Sequence, residues 1–408
     1  MADLPAESSV ATRSGLDELV THLRESGRFA FDTEFVSEET FEPVLCLVQV
    51  ATRDRLVIVD PLAVGDLSPF WDIVLDPEVG LVMHAASEDL RICKFQAGQV
   101  PSHVFDVQIA AGLVGLGYPL SLGNLANQVL RITLSGGETR TDWRRRPLSE
   151  SQLRYALDDV RHLLVLVDRL EAQLDRLGRR SWAEAEFAGF IDAIQNRSEE
   201  ERWRRLPGLH QLSRRGLEVA RRLSDWRFEE ARRANRPLRQ SLRDDLLVAI
   251  AKRLPASRRD LEALRDFNRP HLLARGGDIL AILAEAQAVP AELLPEPVER
   301  HEEGPGLTMV INLLTAALAH CCAQHKVAPG LVGAAHDLKA LVRWDADGRP
   351  EARRPDLTRG WRAEVCGRTL LDVLAGHLAL RVDDPKADVP VALEAIADRP
   401  PLSEQSVI

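Results

Sequence analysis

The first third of the chain alternates two hydrophobic periods. Residues 15–26 (Gly-Leu-Asp-Glu-Leu-Val-Thr-His-Leu-Arg-Glu-Ser) repeat apolar positions at helical spacing, and Gly27 supplies a stop. Phe29-Ala30-Phe31 then reads as a strand entering a core and runs on through Asp32-Thr33-Glu34-Phe35. Val44 to Ala51 and Leu56 to Val59 are further β-branched and apolar runs with Asp54 in the turn between them, so three strands are expected as a meander. Leu67 to Leu75 reads as a helix, Gly80 to His84 as a short strand, and a further helix begins near Ser87. Phe105-Asp106-Val107 leads into a helix over residues 108–116, and Ser121 caps another over 122–130. Ser149 and Gln152 form a capping box after Pro147 and start a long helix. Strands alternating with helices predict a layered α/β domain over residues 1–195.

From residue 207 the strand period vanishes. A charged segment from Arg197 to Arg205, closed by Pro207-Gly208, reads as a linker. Beyond it, residues 207–290 and 306–382 read as two all-helical domains, separated by the Pro-rich break Pro290 to Pro305. A helix over Ser241 to Leu254, capped by Ser241, is expected in the first of them. The longest apolar run, Leu307 to Cys322, is interrupted by Thr308, Asn312, Thr315 and His320, so it predicts a buried helix and not a membrane span. Residues 383–408, rich in Asp, Pro and Ala, are expected to be a disordered tail.

Composition changes this picture in two places. The 408 residues carry a net charge of -10, which by itself counts against nucleic-acid binding. Basic side chains are nevertheless clustered, at Arg144 to Arg146, Arg202 to Arg205, Arg214-Arg215 and Arg232-Arg233; local basic patches on an acidic protein can bind phosphates, although any single cluster reads first as a solvated helix face. The five cysteines are odd in number and show no CxxC spacing, which argues against a zinc site and fits a reducing compartment. Met1-Ala2-Asp3-Leu4-Pro5 lacks the basic and apolar regions of a signal peptide, so a cytoplasmic location is expected.

The candidate chemistry lies in acids spread along the first domain. Asp32 and Glu34 are two apart on a strand and project from the same face. Like charges so placed resist burial, and a hard divalent cation such as Mg²⁺ relieves the repulsion. The alternative is a half-exposed strand carrying acids on its wet face. Asp89 stands in the first turn of the helix that begins near Ser87, where it is either a third ligand or an acid favoured by the helix dipole. Tyr155 and Asp159 lie four apart and share a helix face, with Asp158 turned by roughly 100°. His84 is a ligand by type, but its place at a strand end favours a partly buried histidine. Four carboxylates and a tyrosine are the set that phosphodiester cleavage with two divalent ions requires.

With these residues in view, the chain resembles ribonuclease D, of the Tyr-containing DEDD exonucleases. The resemblance rests on Phe31-Asp32-Thr33-Glu34-Phe35, on His84 to Leu90, on Phe105-Asp106-Val107-Gln108, on Arg140-Thr141-Asp142-Trp143 with Arg146-Pro147-Leu148, and on Tyr155 to Val160, in order across residues 28–170. It implies a ribonuclease H-like fold followed by two HRDC-type helical domains. It also implies 3′→5′ removal of nucleoside 5′-monophosphates from RNA 3′ ends, with tRNA precursors as the expected substrate. Asp32 would then bridge two Mg²⁺ or Mn²⁺ ions, Glu34 and Asp159 would hold the one that activates water, Asp89 would help hold the other, and Tyr155 would orient the water. Trp143, Arg144 and Arg146 are candidates for RNA contact by stacking and phosphate pairing, although Trp143 is better suited to anchoring its loop in the core. Family members often carry an acid and a lysine in the loop where this chain has Ser135 and Gly136. A monomer with no small-molecule cofactor and no membrane contact is expected. The rival readings are a DNA exonuclease of the same fold and a catalytically inactive nucleic-acid-binding protein.

Overall fold

The computed structural model describes residues 6–134, 141–196, 202–298 and 305–396. Six strands, β1 (Ala6–Val10), β2 (Arg28–Val36), β3 (Val44–Ala51), β4 (Arg55–Val59), β5 (Gly80–Met83) and β6 (Val104–Asp106), form one sheet in the order β1-β4-β3-β2-β5-β6. The expected meander is present, since β2 pairs antiparallel with β3 and β3 antiparallel with β4. β5 and β6 extend the sheet in parallel on the other side of β2. Strand β1, parallel to β4 at the edge, is an element the pattern did not predict. Its sequence, Ala-Glu-Ser-Ser-Val, is almost wholly exposed and carries no alternation to read.

The two faces of β2 divide the core. Phe29 and Phe31 pack with Leu16, Phe70, Leu90 and Cys93 on one side. Ala30, on the other face, packs with Ala156, Leu157 and Val160 of the helix Glu150–Arg161. Asp32 and Glu34 continue the line of Ala30 towards that helix. The capping box predicted at Ser149 and Gln152 starts it as expected.

Residues 203–298 form a helical domain with its own core, built on Trp203, Leu217, Leu223, Leu247, Phe267 and Ile279. The helix there runs Asp244–Arg253 with no side-chain cap, and Ser241 instead ends a short helix, Leu238–Ser241. The last helical block is not separate. Its helix Pro305–His325 is long and apolar enough to cross a membrane by length and composition; the stripe Ile311, Leu314, Leu318 and Cys322 lies in the same apolar cluster as the exonuclease helices, while Met309 and Leu313 are exposed, so the expected buried helix is buried along one face only. Polar contacts reinforce this union. The Arg179 guanidinium donates to the carbonyls of Leu113, Lys326 and His325. Arg362 forms a two-pronged bond to Glu186 at 2.7 and 2.8 Å, and Trp182 stacks on Trp361 with centroids 5.5 Å apart.

The expected disordered tail is corrected in its first part. Val391–Ala395 pairs antiparallel with Leu378–Val382, because Leu378, Leu380 and Leu393 alternate towards the core while the Asp- and Pro-rich stretch between them makes the turn. Residues 397–408 lie outside the described residues.

The shared core makes a prediction. Glu186→Ala leaves the Arg362 guanidinium without its carboxylate and should cost about 2 kcal/mol in urea denaturation, the range for hydrogen bonds to charged groups. A loss below about 0.5 kcal/mol would mean that the two units do not depend on each other there.

Candidate active site

The site is assembled from both faces of β2. Asp32 and Glu34 project on the face covered by the helix Glu150–Arg161, which also presents Tyr155 and Asp159. Asp32, Glu34 and Asp159 each offer a carboxylate oxygen, and these atoms all lie within 4.8 Å of one another. The Tyr155 hydroxyl lies on the same helix face, near enough to Asp159 to favour its charged form. A register shift between Glu34 and Phe35 marks a bulge where the strand leaves the site, a common device for aiming side chains beside reactive centres.

Asp89 arrives from the opposite face. Thr33 points away from its two acidic neighbours and binds Asp89 twice, through its amide at 3.0 Å and its hydroxyl at 2.5 Å, both to Oδ1. Asp89 lies outside the tight cluster of three, yet its charge is felt by Asp32, Glu34 and Asp159. The helix Ser87–Ala97 starts without a side-chain cap. Ala85 adopts a left-handed φ of 54° and the Asp106 carboxylate accepts the amides of Ala85 and Ala86 at 3.2 and 2.9 Å. Asp106 thus holds backbone at the strand end, and it fixes the turn that delivers Asp89. His84 hydrogen-bonds the Leu120 carbonyl at 2.8 Å, the partly buried role expected at a strand end.

Crowding and burial raise every acid here. Burial pushes Asp32 well above the usual carboxylate range, and Asp89, Asp159 and Glu34 add to it. Burial raises Glu34 to about 8, Asp159 to about 7 and Asp89 to about 6. Burial, followed by the nearby carboxylates, also holds the Tyr155 phenol well above its ordinary range. The donor set is all oxygen, which suits Mg²⁺ or Mn²⁺ over softer metals. A second observation fits a cation there. Gln49 lies opposite Asp32 across the β2–β3 pair, fully buried, and both polar atoms of its amide lack a partner among the described residues. Cross-strand partners share a face, so Gln49 lies on the face that carries Asp32.

The structure divides the three candidates for RNA contact. Trp143 is 3 % exposed and packs on the Tyr155 ring with centroids 6.2 Å apart, so it has no open face for a base and anchors its loop instead. Arg146 is consumed internally, bonding Asp60 at 2.6 and 2.8 Å and the carbonyls of Cys46 and Trp143. Arg144 is exposed and bridges Asp142 to Glu39, tying the loop after β2 to the loop before Ser149. Ser135 and Gly136 lie outside the described residues. Sequence reasoning missed Thr33 and Gln49. The first is visible within Asp32-Thr33-Glu34 itself, and the second only as a polar residue inside an otherwise apolar strand.

Residues 8–175 match the family model described as 3′-5′ exonuclease, and residues 216–283 that of the HRDC domain. The chain is 37 % identical to ribonuclease D of Gluconacetobacter diazotrophicus, over 94 % of this chain and 96 % of that protein. The chain belongs to the ribonuclease D family. It is 29 % identical to ribonuclease D of Escherichia coli, over 90 % of this chain and 97 % of that one. The crystal structure of Escherichia coli RNase D, described as an exoribonuclease involved in structured RNA processing, superposes with a TM-score of 0.80 at 28 % identity, covering 91 % of this chain and 99 % of that one. The chain is therefore a 3′-5′ exoribonuclease with an α/β exonuclease domain followed by an HRDC domain, and ribonuclease D membership selects RNA over the rival polymer.

The raised acids predict the pH dependence of stability. Below about pH 4 both folded and unfolded chains hold these protons. Between the ordinary carboxylate values of 3.8 and 4.5 and the folded values of about 6, 7 and 8, the folded state holds protons that the unfolded state has released. Stability of the metal-free protein should thus fall as pH rises from about 4 to about 8. Asp32→Asn should raise its Tm at pH 8 by about 3 °C. A metal-free Tm that climbs across this window, or is unmoved by the substitution, would contradict the assignment.

Proposed function

We propose that the enzyme uses two divalent ions, Mg²⁺ or Mn²⁺, to trim the 3′ ends of structured RNA, with tRNA precursors as substrate and nucleoside 5′-monophosphates as products. It acts as a monomer without a small-molecule cofactor, in the cytoplasm; the five unpaired cysteines fit that compartment. The observation that carries the reading is the convergence of Asp32, Glu34 and Asp159 oxygens within 4.8 Å, with Asp89 close enough to raise them further. The structured-RNA substrate rests on what the Escherichia coli relative is described as processing.

In this reading Asp32, Glu34, Asp89 and Asp159 hold the metal ions. Such a pair supplies a water-derived nucleophile and stabilises the leaving oxygen of the phosphodiester. Thr33 fixes the rotamer of Asp89 by occupying one of its oxygens, and Asp106 fixes the turn before it. Tyr155 orients and does not deprotonate. Its phenol is held neutral far above working pH, so the hydroxyl remains a donor that fixes Asp159 and the attacking water. Trp143, packed on that ring, limits its movement. An inactive binding protein would have no use for repelling acids at this density, which weighs against that alternative.

The test is a matched assay on RNA and DNA oligonucleotides with Mg²⁺, Mn²⁺ and EDTA. RNA should be shortened from the 3′ end, EDTA should abolish the reaction, and Asp32→Asn should reduce kcat at least 10³-fold while RNA affinity changes little. Tyr155→Phe should lower kcat about 10²-fold at nearly constant KM. Trimming that survives EDTA, or an Asp32→Asn enzyme with wild-type turnover, would refute the reading.

A further inference from the structure

A cleft of about 450 Å³ lies between the exonuclease domain and the HRDC domain. It shares Phe35 and Ser37 with a second cavity, which is lined by Glu34, Trp143 and Arg144, so the two adjoin where β2 leaves the acidic cluster. Glu88, the neighbour of Asp89, also lines it. Four of the protein's 11 phenylalanines line this one cleft: Phe35, Phe41 and Phe95 from the exonuclease domain and Phe228 from the HRDC domain.

The two domains meet at its wall. The Phe41 and Phe228 rings lie edge to face, 4.9 Å between centroids. The Asn235 side-chain oxygen accepts the amides of Phe41 and Glu42 at 3.0 and 3.1 Å, and the Arg202 guanidinium stacks 3.6 Å over Phe228. The wall is therefore braced, and its two rings are satisfied by each other. Phe95 is different. It is 44 % exposed, with an open face on a helix whose start delivers Asp89. The cations also divide. Arg91 pairs with Glu88, and Lys94 bonds the carbonyls of Ile194 and Gln195. Arg205 lines the cleft and makes no ion pair among the described residues.

An open aromatic face and an uncommitted guanidinium on a cleft that adjoins the cavity of a phosphodiesterase centre have the chemistry of single-stranded nucleic acid: stacking for a base, charge for a phosphate. The cavity falls within the roughly 300–1,000 Å³ of small-molecule sites and is far too small for a duplex. The cavity at Glu34 is bounded by the two loops that Arg144 ties together, which suits the terminal nucleotide, whereas the strand 5′ of the scissile bond needs a path outward. We propose that the cleft is that path, with Phe95 stacking on a base and Arg205 pairing with a phosphate of the nucleotides upstream of the one removed. This rests on the exonuclease reading above and adds a binding site for unpaired RNA between the two domains.

The full-length protein tests it with two probes. One is the p-nitrophenyl ester of a nucleoside 5′-monophosphate, which contains the terminal nucleotide and no upstream strand. The other is a fluorescent single-stranded 12-nucleotide RNA. Phe95→Ala and Arg205→Ala should each raise KM for the RNA, and weaken its binding by anisotropy in EDTA, by about tenfold. Both should leave ester hydrolysis within about twofold of wild type. Phe95→Tyr should restore the RNA values, and Arg205→Ala should lower the slope of log affinity against log salt by about one. Unchanged RNA binding and KM, or an equal loss on the ester, would overturn the cleft assignment. A wild-type protein inert on both substrates would sink the exonuclease reading instead, and the anisotropy comparison would still decide the cleft.

Discussion

Electrostatic repulsion among carboxylates is the constraint on which the rest of this structure depends. Three oxygens from Asp32, Glu34 and Asp159 lie within 4.8 Å of one another. At an effective dielectric of about 20, each ionised pair at that distance costs about 3–4 kcal/mol. Three such pairs approach the whole folding stability of an ordinary domain, about 5–15 kcal/mol. In the metal-free fold burial first, and neighbouring carboxylates after it, raise these acids and favour their protonated forms. Divalent charge is the other way to satisfy the same geometry, and it frees the carboxylates to act as ligands.

The fold holds the cluster together through the two faces of one strand. Even-numbered residues of β2 meet the helix of Tyr155 and Asp159, and odd-numbered ones meet the helix of Asp89. Thr33 is the hinge of this arrangement, binding Asp89 with both its amide and its hydroxyl from the far side. The helix Glu150–Arg161 is held against the sheet by Ala156, Leu157 and Val160, and its far surroundings are shared with the last helical block. That block braces the catalytic domain from behind. The HRDC domain, with a core of its own, touches the loop that follows the β2 acids through Phe228 and Asn235.

Most of the acidic set was legible because strand and helix periods alone place Asp32 with Glu34 and Tyr155 with Asp159. Asp89 was readable only as an alternative to a helix-start acid, since its selection depends on Thr33 and Asp106, contacts made across 56 and 20 residues or so of chain. Gln49 was readable only as a polar residue in an apolar strand: its significance lies in a strand register and in the lack of a partner for its amide among the described residues. Trp143 and Arg146 resembled RNA contacts by type, but tertiary packing committed one to Tyr155 and the other to Asp60. The edge strand β1 and the hairpin near residue 391 escaped for a similar reason. Short, polar-flanked segments become strands only when a neighbour offers its edge. The union of the last helical block with the exonuclease core was hidden because an amphipathic stripe does not name what it packs against.

The most direct measurement of the central claim is calorimetric titration of the intact protein with Mn²⁺ at pH 7, repeated in buffers of different ionisation enthalpy. Two ions should bind per chain with net release of protons, and Asp32→Asn should abolish both the stoichiometry and most of the release. Binding without proton release, or two ions still bound after Asp32 is neutralised, would contradict the account.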